Sequence, residues 1–164
     1  MPPWLKVLQG ELDPSPGSGL LVYRRPRPFD PNRLRAWLAN PPGELVRGKG
    51  HVWLAGEPDQ SFGYSCAGSV HRLFPAGRWW ASYAAGTWPS CTAQRRRLLE
   101  RWHPRFGDRR QDLVFVGVDL DLDPDRLCAG LDACLLAEEG IGDGLHGSWE
   151  EPCEPLSKPG TRLH

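Results

Sequence analysis

The chain has 164 residues, of which 40% are hydrophobic and eight are tryptophan, and its 20 basic and 20 acidic residues cancel. This length and composition favour one domain with a buried core, and they exclude disorder along the whole chain. A net charge of zero gives no indication of general binding to polyanions.

The five cysteines include no Cys-x-x-Cys pair, and the start of the chain lacks a basic region followed by an apolar run. No apolar run reaches the roughly 18–20 residues that cross a bilayer. Free thiols in a reducing compartment are the simplest interpretation. We therefore expect a cytoplasmic protein without a membrane partner.

The first half of the chain predicts strands around one short helix. Residues 1–18 have the composition of a linker, and residues 19–25 predict the first strand. Asp30 and Pro31 predict the start of a helix, which the Asn-Pro-Pro-Gly run at 40–43 ends. A second strand is predicted at 45–55, and a hairpin at 61–67 and 69–74 with Gly68 in its turn.

The second half alternates helix and strand. A helix is predicted over 92–102 with Ser90 or Thr92 as its cap, followed by an interior strand over 111–120. Asp123 and Pro124 predict the start of the last helix, and residues 138–164 form a Gly- and Pro-rich tail. The order predicts an α+β fold, an antiparallel β-sheet with helices packed mainly on one face, over residues 19–137.

Residues 43–49 match the first seven positions of a phosphate-binding P-loop. The eighth position requires Ser or Thr for Mg²⁺, but Gly50 occupies it. The residues from His51 to Leu54 are aromatic and β-branched, which is typical of a strand rather than of the helix that follows a P-loop. We interpret Gly48-Lys49-Gly50 as part of a strand.

The cysteines and histidines lack the short paired spacings that are typical of zinc sites. Cys66 and His71 are the best candidates for metal ligands, and donors from another domain would have to complete the site. A buried free cysteine is the structural alternative for Cys134 on the apolar side of the last helix.

An arginine-rich segment between residues 94 and 110 is the best candidate for binding nucleic acid, because arginines alternate there with Trp102 and Phe106. Glu100, Asp108 and Asp112 interrupt the segment, which favours a solvated helix face instead. Arg109 and Arg110, at the start of the strand at 111–120, could instead pair with carboxylates such as Asp119 or Asp121. The arginines of the segment are Arg95, Arg96, Arg97, Arg101, Arg105, Arg109 and Arg110.

Several tryptophans lie close together in the sequence, at Trp53, Trp79, Trp80 and Trp88, with Tyr83 nearby. Packing in the core is the first interpretation for most of them. An exposed pair at Trp79 and Trp80 would also suit a protein interface, in which aromatic residues are enriched.

Six segments in sequence order resemble the C-terminal domain of CobW-type GTPases, and together they span most of residues 19–137. As an ordered set these motifs are specific, although each alone is short. The segments are 22–34 (VYRRPRPFDPNRL), 46–55 (VRGKGHVWLA), 65–68 (SCAG), 75–81 (PAGRWWA), 107–117 (GDRRQDLVFVG) and 131–136 (LDACLL).

The resemblance implies a non-catalytic module of a GTP-dependent metal chaperone for zinc or cobalt. In that family GTP and Mg²⁺ bind a separate P-loop domain, which also carries the Cys-x-Cys-Cys metal motif. This chain contains neither motif, so we expect it to hold no cofactor itself. Its expected partners are a CobW-type GTPase domain or a metal-requiring client protein, and the candidate partner surface comprises Lys49, Trp79, Trp80, Arg109 and Arg110.

The chain departs from the family pattern near its end, where Glu151-Pro152-Cys153-Glu154-Pro155 replaces an acidic-Pro-Phe-Pro segment. Two other functions stay open at this point. One is an arginine-rich nucleic-acid-binding module, and the other is a small self-standing zinc-binding protein.

Overall fold

The structure is a computed structural model that describes residues 19–41, 45–117 and 123–137, together with Lys6 and Ile141; for Leu45 and Val46 it describes the backbone alone. The predicted linker and tail therefore lie outside the described residues, apart from Lys6 and Ile141, and so do Asp119 and Asp121.

Five antiparallel strands form one sheet in the order β1-β5-β2-β3-β4. β5 lies between β1 and β2, and its first five residues are buried, as the apolar run predicts. β1 and β4 are the two edges. The strands are β1 (Leu20–Arg25), β2 (Leu45–Val52), β3 (Gln60–Ala67), β4 (Val70–Arg78) and β5 (Gln111–Gly117).

β2 has glycines at Gly48 and Gly50 because atoms of the neighbouring strands β3 and β5 occupy the space that a side chain would need. A Cβ at Gly48 would lie 2.9 Å from ring atoms of Tyr64 and Phe115. A Cβ at Gly50 would lie 2.0 Å from the backbone oxygen of Asp112. The Gly-Lys-Gly run is thus a strand paired with β5 and β3, which confirms the interpretation against a P-loop.

In the described parts of residues 19–137, three α-helices accompany the sheet, namely α1 (Pro31–Ala39), α2 (Thr92–Glu100) and α3 (Pro124–Asp132). The predicted caps of α1 and α3 are confirmed. Asp30 accepts hydrogen bonds from the amides of Asn32 and Arg33 at 2.9 and 3.1 Å. Asp123 caps α3 in the same way.

The main core lies between one face of the sheet and the helices α1 and α3, which contact each other. Tyr23 also joins α3 to the edge strand, because its hydroxyl donates to Asp132 at 2.8 Å. The fold is therefore α+β with two of the three helices on one face, as predicted. The large, fully buried side chains of this core include Tyr23, Phe29, Leu113, Phe115, Leu127 and Leu131.

A second, smaller hydrophobic cluster lies just beyond the end of β2. Trp53, Trp79, Phe106 and Ile141 pack together there. Beside them the fully buried amide of Gln111 accepts from the Trp53 amide at 3.0 Å and donates to the Trp53 carbonyl at 2.7 Å. It also donates to the carbonyl of Arg27 at 2.9 Å, so one side chain joins three segments.

Several element boundaries differ from the prediction. β2 ends at Val52, three residues early, whereas β4 continues to Arg78 through a bulge opposite Gln60. α2 ends at Glu100, and Cys91 occupies its N-cap position, so the predicted caps Ser90 and Thr92 are wrong. Short 3-10 turns at Trp80–Ser82 and Ala85–Thr87 precede α2.

Candidate partner-binding cleft

The face of the sheet opposite α1 and α3 carries an open cleft of about 960 Å³. Because Gly48 and Gly50 face the core, the alternating side chain of His51 projects to this opposite face. Asp112, which is paired with His51 across β2 and β5, lies on the same face. α2 and the segment around Trp80 complete the walls of the cleft.

Three guanidinium groups converge on the carboxylate of Asp112, which is itself buried. Arg24 donates from Nε to Oδ1 at 2.9 Å, and Arg101 donates from Nη2 to Oδ2 at 3.1 Å. Arg110 places Nε 3.5 Å from Oδ2. Burial, followed by the positive charge of Arg101, lowers the pKa of Arg110. The group therefore holds more positive than negative charge.

A second carboxylate, Asp108, organises the aromatic wall of the cleft. Its two oxygens accept from the amides of Trp80 and Ala81, each at 2.9 Å. Burial raises the pKa of Asp108, although these amides oppose the shift. The turn that Asp108 holds presents Trp80 and Tyr83, which are 37% and 38% exposed and have ring centroids 5.8 Å apart.

His51 is the histidine of the cleft. Its side chain is exposed in the cleft, and desolvation by the surrounding residues lowers its pKa. Asp112 and Asp108 act in the opposite direction, and Arg110 adds to the lowering. The neutral imidazole is consequently favoured in the folded protein. Such a ring can exchange hydrogen bonds with a ligand in the cleft without adding a further positive charge.

Two of the five predicted partner-surface residues are buried, so their assignment to a surface is wrong. Trp79 is 7% exposed and packs in the cluster of Trp53 and Phe106. Arg109 is 1% exposed, and its guanidinium donates to the carbonyl oxygens of Pro58 and Phe106. Burial lowers the pKa of Arg109, while Asp108 and Asp59 act in the opposite direction, and Asp59 Oδ1 lies 3.7 Å from Nη2. Both side chains hold the fold together.

The other three predicted surface residues remain accessible. Trp80 and Arg110 line the cleft. Lys49 is half-buried on the same face of β2, opposite Ser65 and Val114. Whether these residues contact a partner stays a prediction.

The weak metal candidates Cys66 and His71 lie directly opposite each other on β3 and β4, on the core side of the sheet. Cys66 is 1% exposed, and burial raises its pKa. His71 Nδ1 shares a hydrogen bond of 2.8 Å with the Tyr64 hydroxyl. Among the described residues no group of three or more His, Cys, Asp or Glu side chains is placed to hold a metal ion. A zinc ion there would need donors from elsewhere, since zinc sites use three or four protein ligands.

The arginine-rich segment does not form one solvated face. Arg95 is buried, donates to the carbonyl of Ala85 at 3.3 Å and lies over the ring of Trp88. Arg105 donates to the carbonyl of Ile141 at 3.2 Å. Arg96 and Arg97 are the exposed arginines of α2. The fold therefore divides these arginines between structural contacts and the cleft.

The convergence of arginines on Asp112 was not apparent from the sequence. Arg24 lies 88 residues before Asp112, and only the register of β1 against β5 brings the two together. Asp112 was recognised only as an interruption of a basic run. An acidic residue at the start of an apolar strand is the signal that could have marked it, because such a buried carboxylate needs cationic partners.

Residues 19–135 match the family model described as the cobalamin synthesis protein cobW C-terminal domain. The zinc-regulated GTPase metalloprotein activator 1 of Dictyostelium discoideum is 30% identical over 93% of this chain and 34% of its own length. The zinc chaperone Rv0106 of Mycobacterium tuberculosis is 30% identical over 84% of this chain and 36% of its own length. The chain therefore belongs to the CobW C-terminal domain family, as the six segments predict.

A solved structure of the zinc-bound YjiA GTPase from Escherichia coli is also similar, with 16% identity and a TM-score of 0.45. The match covers 70% of this chain and 29% of that one. The chain spans about a third of the length of the curated relatives that it matches. Within the residues that the structure describes, no helix is long and apolar enough to cross a membrane.

Proposed function

We propose that this chain is the non-catalytic C-terminal module of a CobW-type, GTP-dependent metal chaperone that serves zinc or cobalt homeostasis in the cytoplasm. Its role is to couple the nucleotide state of a GTPase domain to the binding of a partner or client protein. The match of residues 19–135 to the family carries this proposal.

The names of the relatives support a role with zinc, because one is a zinc-regulated metalloprotein activator and another is a zinc chaperone. A supporting role for this module also agrees with its chemistry. The Gly48-Lys49-Gly50 run, which resembles part of a P-loop, is paired with β3 and β5 in the sheet. GTP and Mg²⁺ would therefore be held by a separate domain. Zinc or cobalt would then be the cargo of the complete chaperone, which comprises this module and the GTPase domain.

The outer edge of β4 supports contact with another domain. β4 pairs with β3 along one side, and most of its residues are exposed, including Val70 at 55% and Phe74 at 45%. An edge strand offers backbone amides and carbonyls for pairing with another chain. We assign this edge to the GTPase domain.

The test is a calorimetric titration of this chain with a CobW-type GTPase domain loaded either with GDP or with a non-hydrolysable GTP analogue. Coupling requires the two affinities to differ by at least about fivefold, since allosteric coupling energies are commonly of that size or larger. Val70→Lys, at the exposed start of β4, should weaken binding, whereas Glu57→Lys in the loop before β3 should not. Equal affinities, or no binding in either state, would contradict the proposal.

Native mass spectrometry after purification without chelator tests the alternative of a self-standing zinc protein. The proposal expects the mass of the metal-free chain. A stoichiometric zinc adduct that is lost in Cys66→Ser or His71→Gln would show that the module binds metal itself, and the non-catalytic coupling role would have to be replaced.

A further inference from the structure

The charges around Asp112 do not balance within the cluster. One buried carboxylate faces the guanidinium groups of Arg24, Arg101 and Arg110. Nε of Arg110 is buried and makes no hydrogen bond to the residues that the structure describes. Asp112 Oδ2, 3.5 Å from this Nε, also accepts from Arg101, so one carboxylate serves three guanidinium groups. The cluster is thus able to accept a further negative charge.

Among the described residues at the cleft, the carboxylates of Asp108, Asp112 and Glu100 are outnumbered by guanidinium groups. These belong to Arg24, Arg78, Arg97, Arg101 and Arg110. Asp108 uses both oxygens for the amides of Trp80 and Ala81, and Glu100 lies exposed at the end of α2. Arg97, one turn earlier on the same helix, contributes another cation to the wall. Arg101 and Arg110 are partly buried, at 29% and 25% exposure, which reduces the screening of their charges by solvent.

An apolar wall faces the same space. Trp80 and Tyr83 are each more than a third exposed, and the turn that presents them is fixed by Asp108. Tryptophan, tyrosine and arginine are the residue types that most often carry the binding energy of protein interfaces. A ligand suited to this cleft therefore combines carboxylates with an apolar group.

A protein segment fits these features better than a nucleic acid does. A phosphate backbone needs a row of cations, but Arg95, Arg105 and Arg109 are committed to contacts within the fold. The carboxylates of Asp108 and Glu100 also border the cleft and would repel a continuous polyanion. Spaced carboxylates of a peptide can reach the guanidinium groups while they avoid these positions, and planar guanidinium groups pair well with carboxylates.

We propose that this cleft binds an acidic segment of a partner protein, with Arg97, Arg101 and Arg110 receiving its carboxylates. Trp80 and Tyr83 contact an apolar side chain of the same segment. This inference deepens the proposed function and rests on it for the existence of a protein partner. It places that partner on the cleft face, which the end of β4 borders at Arg78, whereas the variant that tests the GTPase contact is at the start of β4, at Val70.

The experiment is fluorescence anisotropy on the full chain with a short fluorescein-labelled peptide in which Glu-Glu alternates with Leu-Ser. Matched probes are the same peptide with Gln in place of Glu, an oligothymidylate and, as an unlabelled competitor, inorganic phosphate. We expect the Glu peptide to bind with a Kd below about 1 mM and to weaken as salt is added. The Gln peptide and the oligothymidylate should bind at least about tenfold more weakly.

Two arginines of α2 give a matched pair of variants. Arg97 lines the cleft, whereas its exposed neighbour Arg96 does not. Arg97→Gln and Arg101→Gln should each weaken the Glu peptide by at least about fivefold, and Arg96→Gln by less than about twofold. Circular dichroism verifies folding, and the exposed position of Arg97 keeps the test valid if Arg101→Gln does not fold.

Three results would overturn the inference: equal binding of the Glu and Gln peptides, equal losses for Arg96→Gln and Arg97→Gln, or tighter binding of oligothymidylate or phosphate than of the Glu peptide. The peptide measurement uses this chain alone. A GTPase domain that binds without nucleotide preference would therefore contradict the coupling role and leave the peptide result unaffected.

Discussion

The face of the sheet beneath α1 and α3 is closed by apolar side chains, whereas the opposite face holds a carboxylate among guanidinium groups beside an open cleft. Burial of apolar area is non-directional and stabilises the fold, while an unbalanced charge cluster stabilises it little and leaves interactions for a ligand. The comparison teaches that the side chains that stabilise the fold and those that the proposed binding requires lie on different faces. Variants on the two faces should therefore have different effects.

The largest expected effect is on the apolar face. Phe115 is fully buried against Tyr64, so Phe115→Ala should lower the free energy of unfolding by about 3–5 kcal/mol. Phe74→Ala on the opposite face should cost only about 1 kcal/mol, because its ring is 45% exposed over Gly63. Urea unfolding followed by circular dichroism measures both, and equal losses would remove the distinction between the faces.

The charge cluster should give a smaller loss. Asp112→Asn leaves three guanidinium groups without their common carboxylate, and we expect a cost of about 2 kcal/mol, since the arginines are partly exposed. Arg24→Gln removes one exposed partner and should cost less than about 1 kcal/mol. Urea unfolding in low and high salt is the measurement. A loss for Arg24→Gln as large as that for Asp112→Asn would show that the carboxylate is not the centre of the cluster.

The pH dependence of stability tests a single residue of the cleft face, His51. Desolvation by the surrounding residues lowers the pKa of His51 below its ordinary value near 6.5, so the unfolded chain binds the proton more readily. The neutral ring favours the folded state fully above pH 6.5, and that contribution is lost as the pH falls below this value. His51→Gln should therefore reduce the fall in the urea midpoint between pH 7.5 and 5.5. An unchanged fall would mean that other groups, such as His71, whose pKa burial also lowers, dominate the dependence.

The smallest effect concerns reactivity without loss of stability. Cys91 is exposed at the N-cap of α2, where the nearby amides of Gln94 and Ala93, and then the charge of Arg97, lower its pKa. Iodoacetamide should therefore modify Cys91 before the buried thiols of Cys66 and Cys134, whose pKa values burial raises.

Peptide mapping by mass spectrometry resolves each cysteine separately. Faster labelling of Cys66 than of Cys91 in the folded protein would indicate that the core face opens easily. Arg97→Gln should slow the labelling of Cys91, and Arg96→Gln provides the matched control.

The sequence predicts the order of strands and helices, because local signals specify it. Asp30 and Asp123 cap the helices that follow them, and Gly68 adopts the positive φ of the hairpin turn. The end of β4 was not predictable in this way, since the bulge opposite Gln60 depends on its partner strand.

The candidate site was predicted less well, because the sequence does not show which of two adjacent side chains packs in the interior. Trp79 and Trp80 were both candidates for the core and, as a pair, for the partner surface, but Trp79 packs inside and Trp80 lines the cleft. Arg109 and Arg110 divide in the same manner. One residue of each pair packs in the interior, but only the packed structure shows which one.

The amide side chain of Gln111 has a consequence for hydrogen exchange. It binds the N–H and carbonyl of Trp53 just beyond the end of β2, in the way that a neighbouring backbone would. The Trp53 amide lies outside every strand, yet its deuterium uptake should be as slow as that of the interior strands. Since Gln111 is fully buried, release of that hydrogen requires the interior to open, and this single amide can report the lifetime of the closed domain.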